Sequence, residues 1–223
     1  YKGSALNLNV TLPMNFYGMD YKDVLRNKDT ETSKTVFEPS LWASYDFASF
    51  WKIWAFGNLG YDFGSFGSVY DGFVLTNPRA LGNRNSMLLP ENRTLNATSR
   101  LEYRNPLNNL FFNIRYTYAD FNKNIISATK RFESGAATTS LVYEDNNSYS
   151  QSEGAEIGKY FPKFKTNASV TFTNRDSNSF SRLIDKNDVS NLIENKNNTQ
   201  SFALKFNNTY FSWMSVDYNI SMN

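Results

Sequence analysis

The sequence predicts an all-β protein: an antiparallel up-and-down transmembrane β-barrel, present as a partial barrel of about nine strands. Three observations predict it. Apolar and polar residues alternate with period two, a spacing that puts the two kinds on opposite faces of a strand. Connections alternate short and long, as expected when tight turns lie on one side of a membrane and extended loops on the other. Aromatic residues flank the short turns, where rings with a polar edge favour a membrane–water interface.

The first strand, Leu6 to Phe16, sets the pattern. Leu6, Leu8, Val10, Leu12, Met14 and Phe16 alternate with Asn7, Asn9, Thr11, Pro13 and Asn15. Its length approaches the roughly 9–11 residues with which a tilted strand crosses a bilayer. Asparagine is a poor strand former, so its presence on one face points to water there. Gly18 to Thr35, with Asp20, Lys22, Asp23, Arg26, Lys28, Asp29, Glu31 and Lys34, reads as a long solvated loop.

A second strand spans Phe37 to Phe47 and turns at Ala48-Ser49-Phe50 into a third, with Ile53, Ala55, Gly57, Leu59, Tyr61 and Phe63 on its lipid face. Gly64 to Asn92 is the next long connection. The fourth strand sets Leu95, Ala97, Leu101 and Tyr103 against Thr94, Asn96, Thr98, Arg100, Glu102 and Arg104. After the turn Asn105 to Asn109, the fifth alternates Phe112, Ile114, Tyr116 and Tyr118 with Asn113, Arg115 and Thr117.

Asp120 to Ala137 reads as a polar connection, with Ile125-Ile126-Ser127 as a possible strand extension. The sixth strand lies between Leu141 and Tyr160, followed by the turn Phe161 to Phe164. The seventh carries Ala168, Val170 and Phe172. Asn174 to Thr199 is a long loop dense in Asn, Asp and Lys. The eighth shows Phe202, Leu204 and Phe206, and after a turn near Asn208 to Ser212 the ninth alternates Met214, Val216, Tyr218, Ile220 and Met222 with polar residues. The aromatic girdle predicted at the short turns comprises Phe50, Trp51, Trp54, Phe111, Tyr160, Phe161, Phe164, Tyr210, Phe211 and Trp213.

Composition narrows the function. A mean hydropathy of −0.53 excludes a helical membrane bundle. A barrel is compatible with it, because only alternate strand residues need be apolar. The net charge of +2 gives no reason to expect nucleic acid as a partner. The absence of Cys excludes disulfides and thiolate metal sites, and the absence of His removes the commonest general base. No enzymatic activity and no cofactor is therefore expected. One domain is expected over residues 1–223, and no composition shift divides it.

The charged residues of the inward faces are the candidate binding residues. Arg100, Glu102 and Arg104 share one face of the fourth strand and Arg115 faces the same way on the fifth. They read either as part of a ligand path or as a cross-strand charge ladder filling the lumen. Lys205 and Asp217 read similarly. Glu153 and Glu156 fall on opposite faces. Asp185, Asp188 and Glu194 lack regular Ca²⁺-ligand spacing. Gly57, Gly60 and Gly64 are candidates for sheet curvature. Trp51, Trp54 and Trp213 read as interface rings rather than ligand-stacking ones. A soluble β-sandwich would also alternate, but with shorter strands and closer turns.

Three stretches resemble TonB-dependent outer-membrane transporters, especially those of Bacteroidota. These are Pro39-Ser40-Leu41-Trp42-Ala43-Ser44-Tyr45; Leu81-Gly82-Asn83 with Leu89-Pro90-Glu91; and Tyr103-Arg104-Asn105-Pro106-Leu107-Asn108-Asn109-Leu110-Phe111-Phe112. The second departs from the family pattern, being lengthened by Arg84 to Leu88. The resemblance implies a bacterial outer-membrane location and a barrel of more strands than this chain supplies. It also implies a plug domain and a TonB-like energy-transducing partner, neither contained here, with a surface lipoprotein as a further partner. Its implied function is uptake of a scarce nutrient such as a metal chelate, glycan or peptide. The alternative is a barrel without active transport: a passive channel, secretion component or surface scaffold.

Overall fold

The computed structural model describes residues 5–24, 27–64, 72–77, 80–84, 90–185, 189–211 and 214–222. The expectations placed on Leu89, Asp188 and Trp213 lie outside these, as do parts of the connection Gly64 to Asn92 and of the turn near Asn208 to Ser212. The elements are β1 (Ala5–Thr11), β2 (Met14–Asp23), β3 (Lys28–Phe37), β4 (Ser40–Phe47), β5 (Trp51–Asp62), β6 (Gly72–Asn77), β7 (Ala80–Arg84), β8 (Asn92–Asn105), β9 (Leu110–Arg131), β10 (Ala137–Phe161), β11 (Thr166–Ile184), β12 (Ser190–Phe211) and β13 (Met214–Met222). One 3₁₀ turn, Pro162–Phe164, joins β10 to β11.

The sheet order is β1-β4-β5-β8-β9-β10-β11-β12-β13, every neighbour antiparallel. This is a meander of nine strands, in the order and close to the positions that alternation predicts. Among the described residues the sheet does not close on itself: β1 and β13 stand at its two ends.

The first hairpin is longer than the alternation alone shows. β2 pairs with β3 in the register that β1 keeps with β4, Thr11 opposite Ser40 and Met14 opposite Phe37. The ladder is interrupted only around Pro13 and Pro39, because proline has no N–H to donate. Across the gap the Glu38 N–H reaches the Pro13 carbonyl at 3.1 Å, and the Leu59 N–H uses the Pro39 carbonyl at 3.0 Å. The predicted loop Gly18 to Thr35 is thus mostly paired strand.

The same correction applies to Asp120–Ala137 and Asn174–Thr199, which are the outer halves of two hairpins. β9 and β10 have 22 and 25 residues, β11 and β12 19 and 22. At about 3.4 Å per residue, the longest of these outreach a hydrocarbon layer roughly 30 Å thick by a wide margin. Long strands therefore replace most of the predicted long loops.

Directly paired residues share a face, so one row can be followed across all nine strands. Leu6, Tyr45, Ile53, Leu101, Ile114, Ala155, Phe172, Phe202 and Met222 are successive partners. Every member is apolar or aromatic. The next row toward the short turns, Phe47, Trp51, Tyr103, Phe112, Ile157, Val170, Leu204 and Ile220, is too.

On β1 and β2 the apolar run extends from Leu6 away from the short turns to Phe16. On β12 and β13 it lies on the turn side, at Leu204, Phe206, Tyr218 and Val216. A level apolar band crosses the hydrogen-bond rows obliquely when strands tilt, as barrel strands do by about 35–45°.

A sandwich reading is overturned by burial. Leu8, Val10, Val216 and Tyr218 are 63%, 54%, 47% and 57% exposed. Among the described residues the only buried apolar side chains are Tyr21, Ile126 and Ala128. A soluble domain of this length buries about 70% of its unfolded surface. This sheet is a single layer with two exposed faces.

The packed spot at Ile126 and Ala128 lies where the β9–β10 hairpin bends at its outer end. The β9–β10 register shifts between Tyr143 and Asn146. The Asn146 amide fills the bulge, donating to the carbonyls of Lys123, Ile125 and Glu144 at 3.3, 3.1 and 3.1 Å. Beyond it β9 meets β11 in a short parallel pairing, Arg182 opposite Ala128, and β7 lies parallel to the tip of β10. Bulges re-aim a strand in this way.

Candidate functional site

The face opposite the apolar band carries the chemistry. Its central row runs Asn7, Ser44, Trp54, Arg100, Arg115, Gly154, Thr173 and Ser201; the next toward the turns runs Ala5, Asp46, Lys52, Glu102, Asn113, Glu156, Thr171 and Ala203. Period two delivers these side chains to one wall once the apolar set is committed to the other.

The four candidate binding residues meet there. Glu102 stands between two guanidiniums, Arg100 Nε at 3.0 Å and Arg104 Nε at 3.6 Å. Trp54 Nε1 donates to Glu102 Oε1 at 3.4 Å. Arg115 is the direct cross-strand partner of Arg100, so two like charges face each other beside a single carboxylate. One row further along, Asn113 donates its amide to Glu156 at 2.8 Å, while Lys52 and Asp46 stand 4.0 Å apart. The exposed Lys52–Asp46 pair contributes little by itself, whereas Glu102 is half-buried between its two guanidiniums.

Two hollows indent this wall near the short turns. One of about 610 Å³, at the turn around Ser49 and Phe50, takes Asp46, Lys52, Glu102 and Arg104 from this wall. Another of about 380 Å³ lies over Phe111, Glu156, Ser169 and Lys205. Lys205 thus joins the wall as its pattern predicts. The side chain of Asp217 is not described.

Three expectations are corrected, the first being Tyr160, which shares the face of Glu156 and Gly158 opposite Asn167 rather than joining the girdle. Trp54 does not belong to an interface girdle: it sits on the charged face, while its near neighbour Trp51 stacks on the band side between Phe47 and Tyr103, with ring centroids 6.2 and 4.8 Å away. Phe111 is also on the inner face, its ring laid against Gly158, its direct cross-strand partner. Parity within each strand carries the signal for Trp54. The Phe111–Gly158 contact needs cross-strand register, which a single sequence does not display. The same face also carries Trp42 and Phe56, direct partners and both exposed, for which the sequence gives no separate signal.

At the outer ends, carboxylates tie strands together. Glu38 accepts hydrogen bonds from the Asn15 amide, from Tyr17 Oη at 3.2 Å and from the Tyr61 N–H at 2.7 Å. Glu91, from the Leu89-Pro90-Glu91 stretch, pairs with Lys34, and its N–H donates to Asn124 Oδ1 at 2.7 Å. Arg182 holds Glu144 in a two-pronged contact, Nη2 to Oε1 at 2.7 Å together with Nε to Oε2. Those bonds keep the Glu144 carboxyl below the usual carboxylate range.

Glu194 is bound instead by Lys196 at 3.2 Å and Asn178 at 3.3 Å. Asp185 Oδ1 caps the turn before β12 by accepting the Val189 N–H at 2.9 Å. Among the described residues no group of three acidic side chains is placed to hold a metal ion. Glu153 lies on the apolar-band face and Glu156 on the inner face, in line with their spacing.

No protein-family model and no curated protein sequence matches this chain. Among solved structures, it is similar to the outer-membrane transporter YddB of Escherichia coli, with a TM-score of 0.48 and 8% identity. The likeness covers 97% of this chain and 31% of that one, so this chain spans about a third of that transporter's length.

Proposed function

We propose that this chain is part of an outer-membrane β-barrel of the TonB-dependent type, whose charged inner wall faces a lumen through which a scarce nutrient passes. The observation that carries the membrane reading is the row from Leu6 to Met222, apolar on all nine strands of a layer that nothing among the described residues covers. A bilayer supplies that cover, and a barrel wall satisfies every backbone group within it. Open ends at β1 and β13 then pair with further strands.

Support for the transporter reading comes from the resemblant stretches and from the inner wall. Arg100, Glu102, Arg104 and Arg115 give that wall fixed charges of both signs, suited to a polar ligand or to a polar domain plugging the lumen. In this reading the outer hairpins capture the nutrient. A plug domain, moved by a TonB-like protein, opens the path, and a surface lipoprotein is a further candidate partner.

The test is uptake by cells producing the full-length protein, measured before and after dissipation of the proton gradient. Uptake is expected to fall at least about tenfold on dissipation. Passage unaffected by the gradient would contradict active import and favour a passive channel.

A further inference from the structure

The short-turn rim of β10 to β12 combines positive charge with aromatic rings. Residues 157–174 contain Lys159, Lys163 and Lys165 and no Asp or Glu. Lys159 follows Ile157 on the band face, one alternation beyond the last aliphatic residue of that strand. Its ammonium lies 5.7 Å from the Phe161 ring centroid, and that of Lys163 lies 5.9 Å from the Phe164 ring. Both rings are exposed.

The segment is rigidly held. The Lys165 N–H closes onto the Pro162 carbonyl at 3.2 Å with Lys165 in the left-handed region, φ 46°. The Thr209 N–H straps the Lys165 carbonyl at 3.0 Å, and the Asn208 amide straps that of Phe164 at 3.0 Å. The Tyr160 N–H reaches across to the Asn109 carbonyl at 3.0 Å. Three ammonium groups are therefore presented on a braced turn, at the edge of the apolar band, beside two rings able to lie among acyl chains.

We propose that this rim is a binding site for the anionic headgroup phosphates of phospholipids in the leaflet on the short-turn side. Charge complementarity and continuity with the apolar band select this occupant. A lipid whose chains lie along Ile157, Val170 and Phe206 brings its phosphate to the level of Lys159, Lys163 and Lys165, whose long stems let the charges reach it. The inference rests on the membrane reading and deepens it by naming a lipid class and the residues that hold it.

The protein is reconstituted into phosphatidylcholine vesicles carrying trace spin-labelled lipid, and the motionally restricted fraction is compared for labelled phosphatidylglycerol and labelled phosphatidylcholine. Phosphatidylglycerol is expected to be enriched about threefold at the protein surface. The triple variant K159Q/K163Q/K165Q is expected to lose that preference while restricting the same amount of phosphatidylcholine. Equal restriction of both lipids by the unaltered protein, or a preference that survives the triple change, would overturn the rim site and leave the membrane reading standing. No restricted lipid of either kind would overturn both.

Discussion

Replacing Ile114 by arginine is expected to lower the unfolding free energy of the protein in a bilayer by about 2–4 kcal/mol, the cost of a guanidinium on a barrel's lipid face near the midplane. Ile114 sits in the middle of the continuous apolar row, with Leu101 and Ala155 as its partners. Arginine at Thr117 adds the same charge to the same strand, on the wall that already carries Arg100 and Arg115. That change is expected to stay within about 0.5 kcal/mol, as for ordinary solvated positions. Urea unfolding of the protein folded into phosphatidylcholine vesicles measures both. Equal costs on the two faces would mean that neither face meets lipid.

Gly158→Ala is expected to destabilise by about 0.5–1.5 kcal/mol, the cost of forcing the Phe111 ring off its rotamer. A Cβ built on Gly158 falls 2.1 Å from the Phe111 ring tip, with two further ring carbons at 2.5 and 2.9 Å. An aromatic ring laid over a cross-strand glycine covers backbone that would otherwise be bare. Gly154→Ala, four residues earlier on the same strand, is the control: its Cβ would meet the Phe172 carbonyl oxygen at 3.7 Å and Thr173 Oγ1 at 3.9 Å, both ordinary contacts. Removing a strand glycine without strain recovers backbone entropy, so that variant is expected to be neutral or stabilised by up to about 1 kcal/mol. Adding Phe111→Ala to Gly158→Ala should give a double variant less destabilised than the sum of the singles, because the clash vanishes with the ring.

The nine strands of the meander and their sequential order were legible because one face of each is apolar and the other polar. Leu6–Val10, Phe112–Tyr118 and Val216–Met222 display that contrast without any alignment. Where both faces meet water the contrast disappears, and with it the strand signal. Lys28–Thr35 and Glu194–Thr199 are polar on both sides, so they read as loops although their backbones are paired throughout. What holds them as strands is the hairpin register, propagated outward from the apolar band. Pro13 hid the continuity from the other side by breaking a ladder that resumes unchanged.

The candidate wall was legible to the same degree, since Arg100, Glu102, Arg104 and Arg115 declare their face by parity. Their mutual arrangement was not, because Glu102 meets Asn113, and Arg100 meets Arg115, only through the β8–β9 register. Nearness to a short turn points Trp54 to the interface; its even position beside Ile53 and Ala55 places it on the opposite face. Gly158, rather than Gly57 or Gly60, proves the position where a side chain cannot be added without displacing a neighbour.

The most direct measurement uses the absence of cysteine from this chain. Single cysteines placed in turn from Phe112 to Tyr118 on β9, each spin-labelled in the reconstituted protein, report collision with oxygen, which concentrates in hydrocarbon, and with a water-soluble nickel chelate. The account predicts oxygen contact at positions 112, 114, 116 and 118 and chelate contact at 113, 115 and 117, in strict alternation. Chelate contact at all seven positions, or at none, would contradict a wall with lipid on one side and a watery lumen on the other.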